Sequence, residues 1–130
     1  MGAHARILIT GATRGIGLAI ARRFASGGYA LALAARTLAD LERAGEALRR
    51  LGAASVLLLP ADLGTEEGVR QVAACVLRQW SQPDILVNNA GLFAAGAILD
   101  APEGQLEQLM RLNLYAPYRL TRALAPAMLQ

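Results

Sequence analysis

Thr10-Gly11-Ala12-Thr13-Arg14-Gly15-Ile16-Gly17 joins an apolar run, Ile7-Leu8-Ile9, to an amphipathic segment that ends at Phe24. The run reads as a short buried parallel strand and the segment as a helix. Strand, glycine-rich turn and helix, in that order, are the context that a dinucleotide-phosphate site requires. Each glycine has its own expected task. Gly11 lets the chain turn off the strand, Gly15 lets backbone approach a pyrophosphate, and Gly17 lets the helix pack against a sheet. The start of the helix then offers N–H groups without intrahelical partners, and a partial positive charge, to phosphates.

Outward from this stretch the chain alternates between the two periods. Strands are expected over 6–10, 29–35, 55–60 and 84–87. Tyr29 to Ala35 is apolar throughout, as a strand buried on both faces is. The first helix is expected to face inward through Ile16, Ile20 and Phe24, with Arg22 and Arg23 in water, and to stop at Gly27-Gly28. Thr37-Leu38-Ala39-Asp40 resembles a capping box, and Leu41, Ala44, Leu48 and Leu51 follow as its inward stripe. Thr65 is expected to cap a third helix with Glu66 and Glu67 in its first turn, and Val69, Val72, Ala73, Val76, Leu77 and Trp80 facing the core. Pro102 suits the first position of a helix that runs to about Leu112, and a second helical stretch runs from about Leu114 to the end. Leu120, Leu124 and Met128 share a face there, and Pro126 is expected to kink it or leave backbone groups unpaired.

The order βαβαβαβ followed by helix implies an α/β fold with a doubly wound parallel sheet. Ligands of such sheets bind at the carboxyl ends of the strands. Gly11–Gly17, Ala35-Arg36, Asp62-Leu63 and Asn88-Asn89-Ala90-Gly91 all fall at such ends.

Composition narrows the classes. A chain of 130 residues reads as one domain. Although 55% of it is hydrophobic, the apolar runs are broken every few residues, so no membrane span and no signal peptide are expected. Cys75 is the single cysteine, which fits a reducing compartment and a cytoplasmic location; Cys75 and Trp80 read as packing residues. The net charge of +3 comes from thirteen arginines and no lysine. The arginines are spread over nearly every helix instead of clustering, so nucleic acid is not an expected partner.

These residues resemble the short-chain dehydrogenases/reductases. Thr10 to Gly17 matches that family's TGxxxGxG signature, in the spacing of its compact branch, and Asn88-Asn89-Ala90-Gly91 matches its NNAG signature. Asp62-Leu63 matches the acidic pair that meets the adenine ring, and Asn113 falls where the family keeps an active-site asparagine. The resemblance covers the whole chain. It implies a Rossmann-like sheet of strand order 3-2-1-4, incomplete because the family adds further strands. It also implies hydride transfer between a nicotinamide and a small carbonyl or alcohol substrate, with a homo-oligomer as the assembly. The family's serine and YxxxK pair are absent. Tyr115 is followed four residues later by Arg119 and Tyr118 by Arg122. Arginine's delocalised guanidinium does not replace lysine's compact ammonium. The tyrosines therefore read as helix-packing residues and the chain as the cofactor-binding half of such an enzyme, ending before the catalytic region.

The expected dinucleotide residues are Gly11, Thr13, Arg14, Gly15, Ile16, Gly17, Arg36, Thr37, Asp62, Leu63, Asn89, Ala90 and Gly91, with Asn113 as the catalytic position. Where an acidic residue would bind a ribose 2′-hydroxyl, this chain has Ala35 and Arg36. NADP(H) is therefore preferred and NAD(H) possible. Simpler readings stand beside these: Arg36 as a solvated residue after a strand, Asp62 as a turn cap, Asn88 as a residue that holds its own turn. A non-catalytic dinucleotide-binding or dimerisation module ending at residue 130 is the alternative function. A methyltransferase is disfavoured, because the second strand lacks the acidic end that holds that cofactor's ribose.

Overall fold

In the computed structural model, which describes residues 4–130, the continuous apolar runs form the interior of a four-stranded parallel sheet. Its strands are β1 (Arg6–Thr10), β2 (Ala30–Ala35), β3 (Ser55–Pro60) and β4 (Ile85–Val87), in the order β3-β2-β1-β4. The expected order and the Rossmann-like architecture are both observed. Ile7 lies opposite Leu31 on one side and Ile85 on the other.

Successive side chains of a strand point to opposite faces, and here each face has its own helices. Ile7, Ile9, Leu31 and Leu33 pack with α1 (Gly15–Ser26) and α2 (Leu38–Leu51). Leu8, Ala32 and Ala34 pack with α3 (Glu66–Trp80) and α5 (Ala116–Met128). Residues 7–9 and 31–34 consequently have no exposed surface, which is why these strands carry no polar alternation.

The face that α1 turns inward is Gly17, Ala21 and Ala25, one position on from the expected Ile16, Ile20 and Phe24. Ile16 is 73% exposed, and Ile20 and Phe24 are half-buried beside the contact. Small residues let the helix lie close to the sheet, and the larger ones flank it. The chain leaves α1 through Gly28, whose φ is +80°. Thr37 stands at the amino end of α2, yet its hydroxyl caps nothing, and Asp40 pairs with Arg43 instead. Leu51, expected inside, is 46% exposed at the end of α2, where left-handed Gly52 turns the chain away. Thr65 does cap α3, its hydroxyl accepting from the Gly68 N–H at 3.0 Å.

The last third departs furthest from expectation. Pro102 does not begin a helix; its carbonyl closes a turn with the Gln105 N–H. α4 (Gln105–Met110) starts after Gly104, at φ +87°. A π-helical turn, Arg111–Tyr115, joins α4 to α5 without a break. Pro126 sits inside α5, which continues to Met128. Leu120 and Leu124, on the shared face of α5, are fully buried against the sheet and α3. Tyr115 and Tyr118 are not packed: they are 44% and 62% exposed, with the Arg119 guanidinium 5.3 Å from the Tyr115 ring centre.

β4 is a sheet edge of three half-buried residues. Its amino end is tied to β1 by Asp84, which accepts from the Arg6 backbone N–H at 2.8 Å and from its Nε at 3.2 Å. The backbone N–H foremost, with the guanidinium, holds the Asp84 carboxyl below its usual value. Among the described residues no helix is long and apolar enough to cross a membrane.

Candidate functional site

Thr10, the last residue of β1, is 2% exposed and organises the carboxyl edge of the sheet. Its hydroxyl accepts from the backbone N–H groups of Asn89 (3.0 Å) and Ala90 (2.9 Å) and donates to the Val87 carbonyl. Asn89 answers through its side chain, Nδ2 donating to the carbonyls of Thr10 and Gly11 at 3.1 Å each. The Gly11 N–H bonds the Ala34 carbonyl of β2 at 2.9 Å. The glycine turn is thereby tied to both neighbouring strands. Each neutral hydrogen bond contributes about 1 kcal/mol net, and leaving one of these buried groups unpaired costs more.

Within the turn the glycines divide their tasks. Gly11 and Gly15 have φ of +63° and +57°, the left-handed region that favours glycine. A Cβ on Gly17 would lie 2.2 Å from the Gly11 carbonyl oxygen, so only glycine lets α1 begin this close to the turn. A Cβ on Gly15 would meet nothing within 4 Å. That open space lies at the head of α1, whose first N–H groups lack helical partners and whose first turn holds no carboxylate. Arg14 is the exposed residue that precedes the helix, Thr13 is half-buried, and Ile16 is exposed at the mouth.

The remaining candidates gather on the same edge. Arg36 and Thr37 are exposed just beyond β2, and neither Arg36 nor Arg14 joins an ion pair among the described residues. Asp62 makes the turn after β3: Oδ1 accepts from the Gly64 N–H at 2.8 Å, the simpler of the two readings of this residue. Leu63 is 5% exposed and belongs to the core, which leaves only its backbone to face a ligand. Gly91 is exposed. Asn113, in the π-helical turn, grips Leu92 in both directions at 2.7 Å, Oδ1 accepting from its N–H and Nδ2 donating to its carbonyl. A π-turn inside a helix often marks a functional position, and here it carries Asn113.

Gly68 and Thr121 take part without a signature in the sequence. Gly68 is buried in the first turn of α3, where a Cβ would overlap the Asp62 carbonyl oxygen, so it seats the Asp62–Thr65 turn on that helix. Asn88 does not hold its own turn. Its Nδ2 donates to the Thr121 hydroxyl of α5 at 3.1 Å. Thr121 also lines an open groove of about 460 Å³ with Leu114, Pro117, Tyr118 and Arg122.

The family model of the short chain dehydrogenases matches residues 5–130. The chain belongs to the short-chain dehydrogenase/reductase family. Its curated relatives in that family include dehydrogenase/reductase SDR family member 7B of Bos taurus, 33% identical over 132 residues. Among solved structures of short-chain dehydrogenases, L-sorbose reductase from Gluconobacter frateurii, complexed with NADPH and L-sorbose, matches with a TM-score of 0.90 and 37% identity. A metagenomic short-chain oxidoreductase in complex with NADP matches with a TM-score of 0.90 and 35% identity. These matches cover 98%, 97% and 97% of this chain but 41%, 48% and 57% of the respective proteins, so the chain spans about half the length of its relatives.

Proposed function

We propose that residues 1–130 are the cofactor-binding part of an NADP(H)-dependent oxidoreductase that acts on a small carbonyl or alcohol substrate. The observation that carries this reading is the open position over Gly15, at the head of a helix with free N–H groups, no carboxylate and Arg14 alongside. That cradle fits a pyrophosphate. Gly11, Gly15, Ile16 and Gly17 would hold it, with Thr13 shaping the turn. Arg14, Arg36 and Thr37 would meet the adenosine ribose and its 2′-phosphate. Asp62 and the Leu63 backbone would border the adenine. Asn89, Ala90 and Gly91 would lie along the ribose and towards the nicotinamide. The NADPH and NADP named for the two structural relatives support the choice of ligand.

A nicotinamide dinucleotide, when bound, supplies or accepts the hydride. The work of this chain is to orient it. Asn113 contributes by holding Leu92, and so the loop that begins at Asn88, against the π-turn. Proton transfer needs an acid–base group, which in the family is a tyrosine assisted by lysine. Residues 1–130 contain no YxxxK and no lysine. Expressed alone, they are therefore expected to oxidise no NADPH in the presence of carbonyl substrates. Turnover by the pure 130-residue protein would overturn that assignment of roles.

Calorimetric titration with NADPH tests the site itself. Gly15→Val is expected to abolish binding, because its side chain would fill the cradle. The left-handed φ costs the variant about 1–2 kcal/mol, so circular dichroism should still show a folded protein. A folded variant with wild-type affinity would remove the phosphate site from Gly15. A cytoplasmic location agrees with the lone, half-buried Cys75. The open β4 edge, with Ile85, Leu86 and Val87, supports self-association of the 130-residue chain, since unpaired strand edges template pairing. Sedimentation at micromolar concentration is expected to show species larger than a monomer; a stable monomer would contradict it.

A further inference from the structure

We infer that Thr121, on α5, is a positioning residue of the dinucleotide loop and acts through Asn88. The inference rests on the functional reading of residues 89–91 given above. Asn88 and Asn89 are consecutive just beyond β4, and their side chains bond partners on different elements. Asn89 bonds the carbonyls of Thr10 and Gly11. Asn88 bonds the Thr121 hydroxyl, thirty-three residues away in sequence. The strand end is thus held by two anchors. For Asn89 the anchor is the glycine turn itself; for Asn88 it is a helix seated in the core by Leu120 and Leu124, which flank Thr121 in α5 and are fully buried. Thr121 reaches residues 89–91 through this bond. It affects the site by fixing where Asn88 leaves the strand, and with it the N–H groups of Asn89 and Ala90 that meet Thr10.

The test compares Thr121→Val, which keeps the shape and loses the acceptor, with Thr121→Ser, which keeps the acceptor, and with Asn88→Ala and the Asn88→Ala/Thr121→Val double variant. Amide hydrogen exchange reads the Asn89 and Ala90 N–H groups in the protein without dinucleotide, and calorimetry reads NADPH affinity. The loss of one neutral hydrogen bond predicts exchange about fivefold faster at both amides and affinity about fivefold weaker in Thr121→Val. Thr121→Ser should stay within twofold of wild type on both, and the double variant should be no worse than either single one. Unchanged exchange in Thr121→Val overturns the inference, as does a serine variant that behaves like valine. Lower thermal stability with unchanged exchange and affinity also overturns it, because that is the signature of packing alone. A wild-type protein that binds no dinucleotide overturns the functional reading, and the exchange measurement then decides by itself whether Thr121 orders the loop.

Discussion

Gly17→Ala is expected to cost the fold about 3 kcal/mol and to abolish dinucleotide binding, although it adds only one methyl group. The methyl carbon would lie 2.2 Å from the Gly11 carbonyl oxygen and 2.5 Å from Asn89 Nδ2, well inside contact distance. Neither neighbour can give. The Gly11 carbonyl belongs to a backbone turn whose N–H is bonded to Ala34 and whose oxygen receives the Asn89 amide. If Asn89 moves, the carbonyls of Thr10 and Gly11 lose their donor. The start of α1 must therefore retreat from the turn, and the N–H groups of the proposed phosphate cradle retreat with it. Urea denaturation gives the stability and calorimetry the affinity. A variant within about 0.5 kcal/mol of wild type, the range of an ordinary surface change, would show that the close approach does not hold the site together. Gly15→Ala is the natural comparison. Its methyl group meets nothing within 4 Å, so its effect on stability should be confined to the backbone strain of a left-handed residue.

That contrast also marks what was legible in the sequence. The glycine spacing announced a turn and a helix start, and the unbroken apolar runs announced strands buried on both faces. Spacing alone could not show that Gly17 carries the close packing while Gly15 faces open space. The inward face of α1 was misplaced by one residue because hydrophobicity ranks isoleucine and phenylalanine above alanine, whereas a helix lying close on a sheet needs small residues such as Ala21 and Ala25. Beyond β4 the sequence pattern misleads for a related reason. Pro102 has the form of a helix start, but the chain needs the left-handed freedom of Gly104 before α4 can begin. The π-turn adds no periodicity that a hydrophobic pattern can reveal. Asp62 carries two compatible signals, and the structure shows the local one, because the Gly64 N–H is within immediate reach. Gly68 and Thr121 were invisible, since each acts on a partner that only the folded chain brings near.

Arg36→Asp is expected to convert a preference for NADP(H) into one for NAD(H). The residue stands immediately after β2, and β2 is bonded to the glycine turn through the Gly11 N–H and the Ala34 carbonyl. In sheets of this kind a carboxylate near that place accepts hydrogen bonds from the adenosine ribose and repels a 2′-phosphate. Here the position is an exposed arginine with no ion pair among the described residues, and Arg14 precedes α1 without a carboxylate nearby in its first turn. A hydrogen bond to a charged group is worth about 1.5–3 kcal/mol. At about 1.4 kcal/mol per tenfold, the expected preference for NADP(H) is roughly ten- to a hundredfold. Aspartate at this position removes that contact and adds repulsion of the phosphate, so the order should invert and not merely level. Because Arg36 is exposed, added salt should narrow the wild-type preference while leaving affinity for NAD(H) nearly unchanged. Parallel titrations of both proteins with NADPH and NADH, at two ionic strengths, read all of this. Equal wild-type affinities for the two cofactors would return Arg36 to the status of a solvated residue after a strand.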